Sequence, residues 1–129
     1  MEERDDFYVP EETAEWIGLK KSEYLSKLIQ IQEVGDIGFE EFHHYDQFVV
    51  GTIEQPDKTY EFEDDKQRIR SYIRTYAERN GFHQVVTGVM LNDQDKAWVF
   101  IPIISFVTKS EKLVKEFGKG EAILAHTLN

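Results

Sequence analysis

The sequence predicts an α+β domain: an antiparallel sheet of about four to five strands with helices on one face, in the order α-β-β-α-β-β-α-β. Three observations carry this. Runs rich in aromatic and β-branched residues flank short polar turns, as "HQVVTGVML" and "KAWVFIPIISFV" flank "NDQD", the pattern of an antiparallel hairpin. Other stretches carry apolar residues at helical spacing. The 129 residues contain no linker, repeat or low-complexity segment, so one compact domain over 1–129 is expected.

Each element has its own warrant. Residues 1–8, opening "MEERDD", read as a frayed acidic terminus. Pro10 suits a first helical turn, and Glu11 and Glu12 favour its positive end. That helix carries Trp16 and Ile17 and is interrupted by Gly18. Ser22 caps a second helix, with Tyr24, Leu25 and Leu28 on its apolar side and Gly35 as its stop. Residues 45–54 and 59–63 read as a hairpin about Pro56-Asp57-Lys58. Residues 64–79 read as a helix. Ile69, Tyr72, Ile73, Tyr76 and Ala77 form its stripe, Lys66, Arg70 and Arg74 one flank, and Arg68 and Arg79 the other. Residues 83–91 and 96–107 form the second hairpin, in which Pro102 lacks a ladder amide and marks an edge strand or a bulge. Ser110 caps a short helix to Phe117, and "EAILAHTL" supplies a last strand. Leu28, Phe48, Val50, Ile69, Ile73 and Val85 are among the expected core residues.

Composition narrows the classes of function. Hydrophobic residues make up 40% of the chain and aromatic residues 13%, too many for a disordered polymer despite 31% charged residues. There is no cysteine, which excludes disulfides and thiolate metal sites. The acidic N-terminus does not read as a secretory leader, and no apolar run approaches the roughly 20 residues of a membrane helix. A cytoplasmic location without membrane contact is expected. The net charge of −10 conceals a division: residues 1–65 carry 19 acidic against 5 basic side chains, a balance of −14, whereas residues 66–129 carry 6 against 10, a balance of +4.

That division frames the candidate sites. Lys66, Arg70 and Arg74 are candidates either for an anionic ligand or for pairing with the chain's own carboxylates. Glu40, Glu41, Asp46, Glu61, Glu63, Asp64 and Asp65 are the candidate partner-facing acidic residues. "FHHYD" brings His43, His44 and Asp46 together as a surface pair rather than a zinc site, because zinc takes three or four protein ligands. No metal or cofactor is expected. There is no Gly-x-Ser-x-Gly elbow, and "GKGEA" lacks the spacing of a phosphate loop.

In "VPEETAEWIGLKKSEYLSKLI" the small Ala14, the turn residue Gly18 and the Ser22 start have the spacing of a helix-turn-helix. "GLKKSEYLSKLI" is also similar to the second-helix region of ribbon-helix-helix repressors, a resemblance that implies phosphate contacts from Lys20, Lys21 and Lys27. The leading expectation is a small acidic, non-enzymatic regulator of inhibitor, immunity or chaperone type, binding a basic protein partner through carboxylates. The alternative is a DNA-binding regulator using residues 10–31 and the arginine segment, and the third reading is an enzyme whose site assembles only in three dimensions. The long apolar strand around Pro102 also predicts a homodimer.

Overall fold

The computed structural model describes residues 9–92 and 97–123; the expected frayed terminus 1–8, residues 93–96 of the second hairpin turn, and residues 124–129 of the expected last strand lie outside them. The architecture is α+β. Five strands, β1 (Lys58–Asp64), β2 (Gln67–Tyr76), β3 (Phe82–Asn92), β4 (Trp98–Thr108) and β5 (Glu121–Ala122), pair antiparallel in the order β4-β3-β2-β1-β5. Two helices, α1 (Glu11–Ile31) and α3 (Glu111–Phe117), cover one face. A 3-10 helix (Phe39–Phe48) and the short α2 (Val49–Glu54) cover one end of the other.

The core follows from strand alternation. Ile69 and Ile73 of β2, Val85 and Val89 of β3, and Phe106 of β4 point toward Tyr24 and Leu28 of α1 and toward Leu113 and Phe117 of α3. On the opposite face, Tyr76, Phe82 and Val107 meet Phe48. The α1 helix is also tied down electrostatically. Lys20, only 11% exposed in its side chain, lies 2.6 Å from Asp64 and 2.9 Å from Glu23. Burial works against its charge, yet these carboxylates outweigh that and hold the ammonium above the usual lysine range.

Three expectations are corrected. Residues 11–31 form one continuous helix, not two joined at Gly18. Gly18 lies on the exposed side with nothing within 4 Å of where a Cβ would stand, so no packing exploits the missing side chain and the surrounding helix formers carry the chain through. Residues 45–54 are helical rather than a strand. Phe39, Phe42, Tyr45 and Phe48 recur every third residue, the period of a 3-10 helix, in which such positions stack along one side. Val50, expected in the core, is consequently 61% exposed.

The largest correction concerns residues 64–79, which form the β1–β2 turn, β2 and the loop that follows. Asp65 and Lys66 have φ of 52° and 66°, and Asp64 pairs with Gln67, so the two strands meet through a two-residue loop of the kind that matches strand twist. Ile69, Tyr72, Ile73 and Tyr76 satisfy helical spacing and strand alternation alike, which is why all four are buried although the period differs. Tyrosine, isoleucine and threonine in one run favour the strand.

The second hairpin forms as expected. β4 is a sheet edge, and the ladder is irregular between Thr87 and Gly88, where Pro102 falls. Ser110 caps α3, its Oγ accepting from the Leu113 amide at 3.3 Å. Among the described residues no helix is long and apolar enough to cross a membrane.

Candidate binding face of the sheet

Because β2 is a strand, its even-numbered residues share one face: Arg68, Arg70, Tyr72, Arg74 and Tyr76 all point away from α1 and α3. The register arranges this face in rows across the sheet. Glu121, Glu61, Arg70, Gly88 and Pro102 form one; Glu63, Arg68, Met90 and Phe100 form the next toward the hairpin tips.

Arg70 is committed inside its row. Its Nε donates to Glu61 Oε2 at 2.6 Å, its Nη2 also meets that oxygen, and its Nη1 donates to the Tyr72 hydroxyl at 3.1 Å. Burial opposes the charge, but these hydrogen bonds outweigh it and raise the guanidinium's pKa. Glu61 stands directly opposite Glu121, and Arg70 offsets this cross-strand pairing of like charges. Gly88 matters to the same row. A Cβ there would overlap the Phe100 ring and the Ile101 carbonyl oxygen, so glycine lets Phe100 lie over the strand and meet Tyr72 edge-on at 4.9 Å.

The other arginines are held mostly by rings and backbone carbonyls. Arg74 donates to the carbonyls of Gly51 and Gln55 at 3.4 and 3.3 Å and lies over Tyr76. Arg79 donates to the His44 carbonyl at 2.6 Å and lies over Tyr45 and Phe48. Arg68 stacks 4.4 Å from the Trp98 ring centre and 3.7 Å from Glu61. Lys66 stands on the turn, exposed, so the structure does not join it to Arg70 and Arg74 as one flank.

The predicted acidic residues divide between the two ends of the sheet. Glu40, Glu41 and Asp46 lie on the 3-10 helix, at the Tyr76 end. Glu61, Glu63, Asp64 and Asp65 lie at or near the β1–β2 turn, at the other end. Asp64 is taken by Lys20, and Asp65 accepts from the Trp16 indole at 3.1 Å. The histidine rings of His43 and His44 lie 3.9 Å apart, with His44 3.9 Å from Glu41. Among the described residues no cluster of three or more histidine and acidic side chains is placed to hold a metal ion.

Lys20 faces Asp64 on the helix-covered side of the sheet, whereas Arg70 and Arg74 face the other side, so the cations named for DNA do not form one surface. At a strand end His83 joins the Thr75 hydroxyl at 2.8 Å to Glu111 at 3.1 Å. The Thr75 amide is itself used by Asp57 at 2.7 Å, so it is not free to receive an oxyanion.

The concave part of the open face lies at the hairpin tips, a groove of about 510 Å³ bordered by Glu63, Glu121, Lys66, Arg68, Met90 and Trp98. Trp98, Arg68 and Glu121 were not among the sequence-derived candidates. Their signal was faint: a tryptophan beside a polar turn, and charges on strands whose neighbours only the register reveals. Comparison with known proteins finds no matching family model, curated protein or solved structure.

Proposed function

We propose that this chain is a small acidic regulator that works without catalysis, binding a basic protein partner in the manner of an inhibitor, immunity protein or chaperone. One observation carries this reading. All four described arginines, Arg68, Arg70, Arg74 and Arg79, are engaged within the domain, while Glu40, Asp46, Glu54, Glu63 and Glu121 face solvent without an ion-pair partner among the described residues. Exposed lysines such as Lys21, Lys58 and Lys112 also have no ion-pair partner among the described residues, so the field rests on the net charge of −10, and such a field speeds encounter with a cationic surface.

The test is titration with polylysine and with duplex DNA across a salt series. Binding to polylysine should weaken steeply from about 0.01 M to about 0.15 M salt, as the Debye length shortens from about 30 to about 8 Å. No binding to the polycation at low salt, or tighter binding to DNA, overturns the reading. We also propose a cytoplasmic setting and a homodimer paired along β4, whose outer edge has no strand partner among the described residues. Sedimentation as a monomer at tens of micromolar protein would refute the dimer, since an affinity of ~1 μM would hold it together there.

A further inference from the structure

We infer that the groove at the hairpin tips is a recognition site for an arginine side chain presented by the partner. The inference rests on the acidic-regulator reading and assigns it a place and a chemistry.

Trp98, the first residue of β4, is 50% exposed, and Arg68 lies over its ring. The chain thus displays the contact it is suited to make: a guanidinium on an indole, with a carboxylate alongside. Glu61 is occupied by Arg70, but Glu63 and Glu121 are exposed and have no ion-pair partner among the described residues. Since Glu121 stands opposite Glu61 and Glu63 is two residues further along β1, the two glutamates are diagonal neighbours on one face, with backbones about 7–8 Å apart. A planar fork with five donors can meet carboxylates on both sides, which a single ammonium does less well. Lys66 borders the same groove and supplies a donor for a main-chain carbonyl of the segment carrying the arginine.

The experiment uses the full chain and three capped peptides of glycine alternating with arginine, lysine or citrulline, followed by tryptophan fluorescence and calorimetry. The arginine peptide should bind, the lysine peptide several-fold more weakly, and the citrulline peptide at least tenfold more weakly. Glu63→Gln with Glu121→Gln should weaken the arginine peptide at least tenfold, and Trp98→Leu should do likewise. Both glutamates are exposed, so an unchanged melting curve verifies that this variant folds. Glu78→Gln, an exposed change just after β2 at the far end of the sheet, should leave the affinity unchanged. Equal binding of arginine and lysine peptides, or indifference to the Glu63 and Glu121 changes, overturns the inference. If polylysine still binds in that case, the acidic-regulator reading survives; if no polycation binds, both fall.

Discussion

Gly18→Ala tests whether α1 is one helix, and with it the geometry a helix-turn-helix would require. Gly18 lies well inside the 21-residue helix, and an added methyl would meet nothing within 4 Å. The substitution therefore creates no clash and removes only glycine's unfavourable helix propensity, about 0.8–1 kcal/mol relative to alanine. For a chain of this size that corresponds to a rise in melting temperature of roughly 3–6 °C. Thermal melts by circular dichroism and urea titration would read it, with the urea slope unchanged because the surface exposed on unfolding stays the same. If the chain turned at Gly18, alanine would oppose the turn and stability would fall. A loss beyond about 0.5 kcal/mol would refute the continuous helix, since no other mechanism for a loss exists at an open, exposed helical site.

Further outcomes follow from other sites. Tyr24→Phe should be neutral or stabilising by up to about 1 kcal/mol at neutral pH, because the buried hydroxyl has no hydrogen-bond partner among the described residues. Burial pushes the Tyr24 phenol from 10.0 up to about 12, so stability linked to it is complete below pH 10 and is lost as pH climbs toward 12; the phenylalanine variant should lack that alkaline decline. Lys66→Gly should stabilise the domain by about 0.5–1 kcal/mol in urea titrations, by placing glycine where φ is 66°. Glu116 is held below its ordinary value of 4.5 by hydrogen bonds from Lys119 and then Lys27, so its contribution is present above 4.5 and disappears as pH falls through the lowered value. Glu116→Gln should therefore be less stable than wild type by under about 1 kcal/mol at neutral pH, and the two should converge in acid. Arg70→Met should cost about 2–3 kcal/mol, the penalty of leaving a partly buried carboxylate without its charged donor, and adding Glu61→Gln should recover most of it.

The fold class was legible in the sequence because the hairpin of β3 and β4 is long and bounded by a polar turn. Ser110, standing before the apolar Leu113 and Phe117, likewise marked α3. Residues 64–79 were misread for a specific physical reason. Apolar residues at 69, 72, 73 and 76 satisfy a period of 3.6, and as a strand they divide between two buried faces, so burial alone does not distinguish the forms. The decisive feature was the Asp65-Lys66 turn, which lacks the glycine that usually announces such a loop. The 3-10 helix was legible in retrospect through its aromatic period of three. The groove was not legible, because Glu121 and Glu63 are 58 positions apart in the chain and become neighbours only through the β1–β5 register.

The correction to residues 64–79 also explains the charge division. The boundary between the acidic and basic parts of the chain, at residues 65 and 66, is the turn between β1 and β2. Glu61 faces Arg70 across the ladder that follows and also meets Arg68, so part of the asymmetry is cancelled across one pair of strands. In the helical reading the tyrosines would have been separated from the arginines; in the strand they share a face, and Tyr72 accepts a hydrogen bond from Arg70. The surplus lies elsewhere. Glu11, Glu12 and Glu15 on α1, and Glu40 and Asp46 on the 3-10 helix, are exposed and have no ion-pair partners among the described residues. Arginines needed for internal pairing are poorly placed to collect phosphates, while unmatched carboxylates are well placed to collect cations. On that balance the arginines serve the fold, and the carboxylates are the groups that the proposed basic partner would meet.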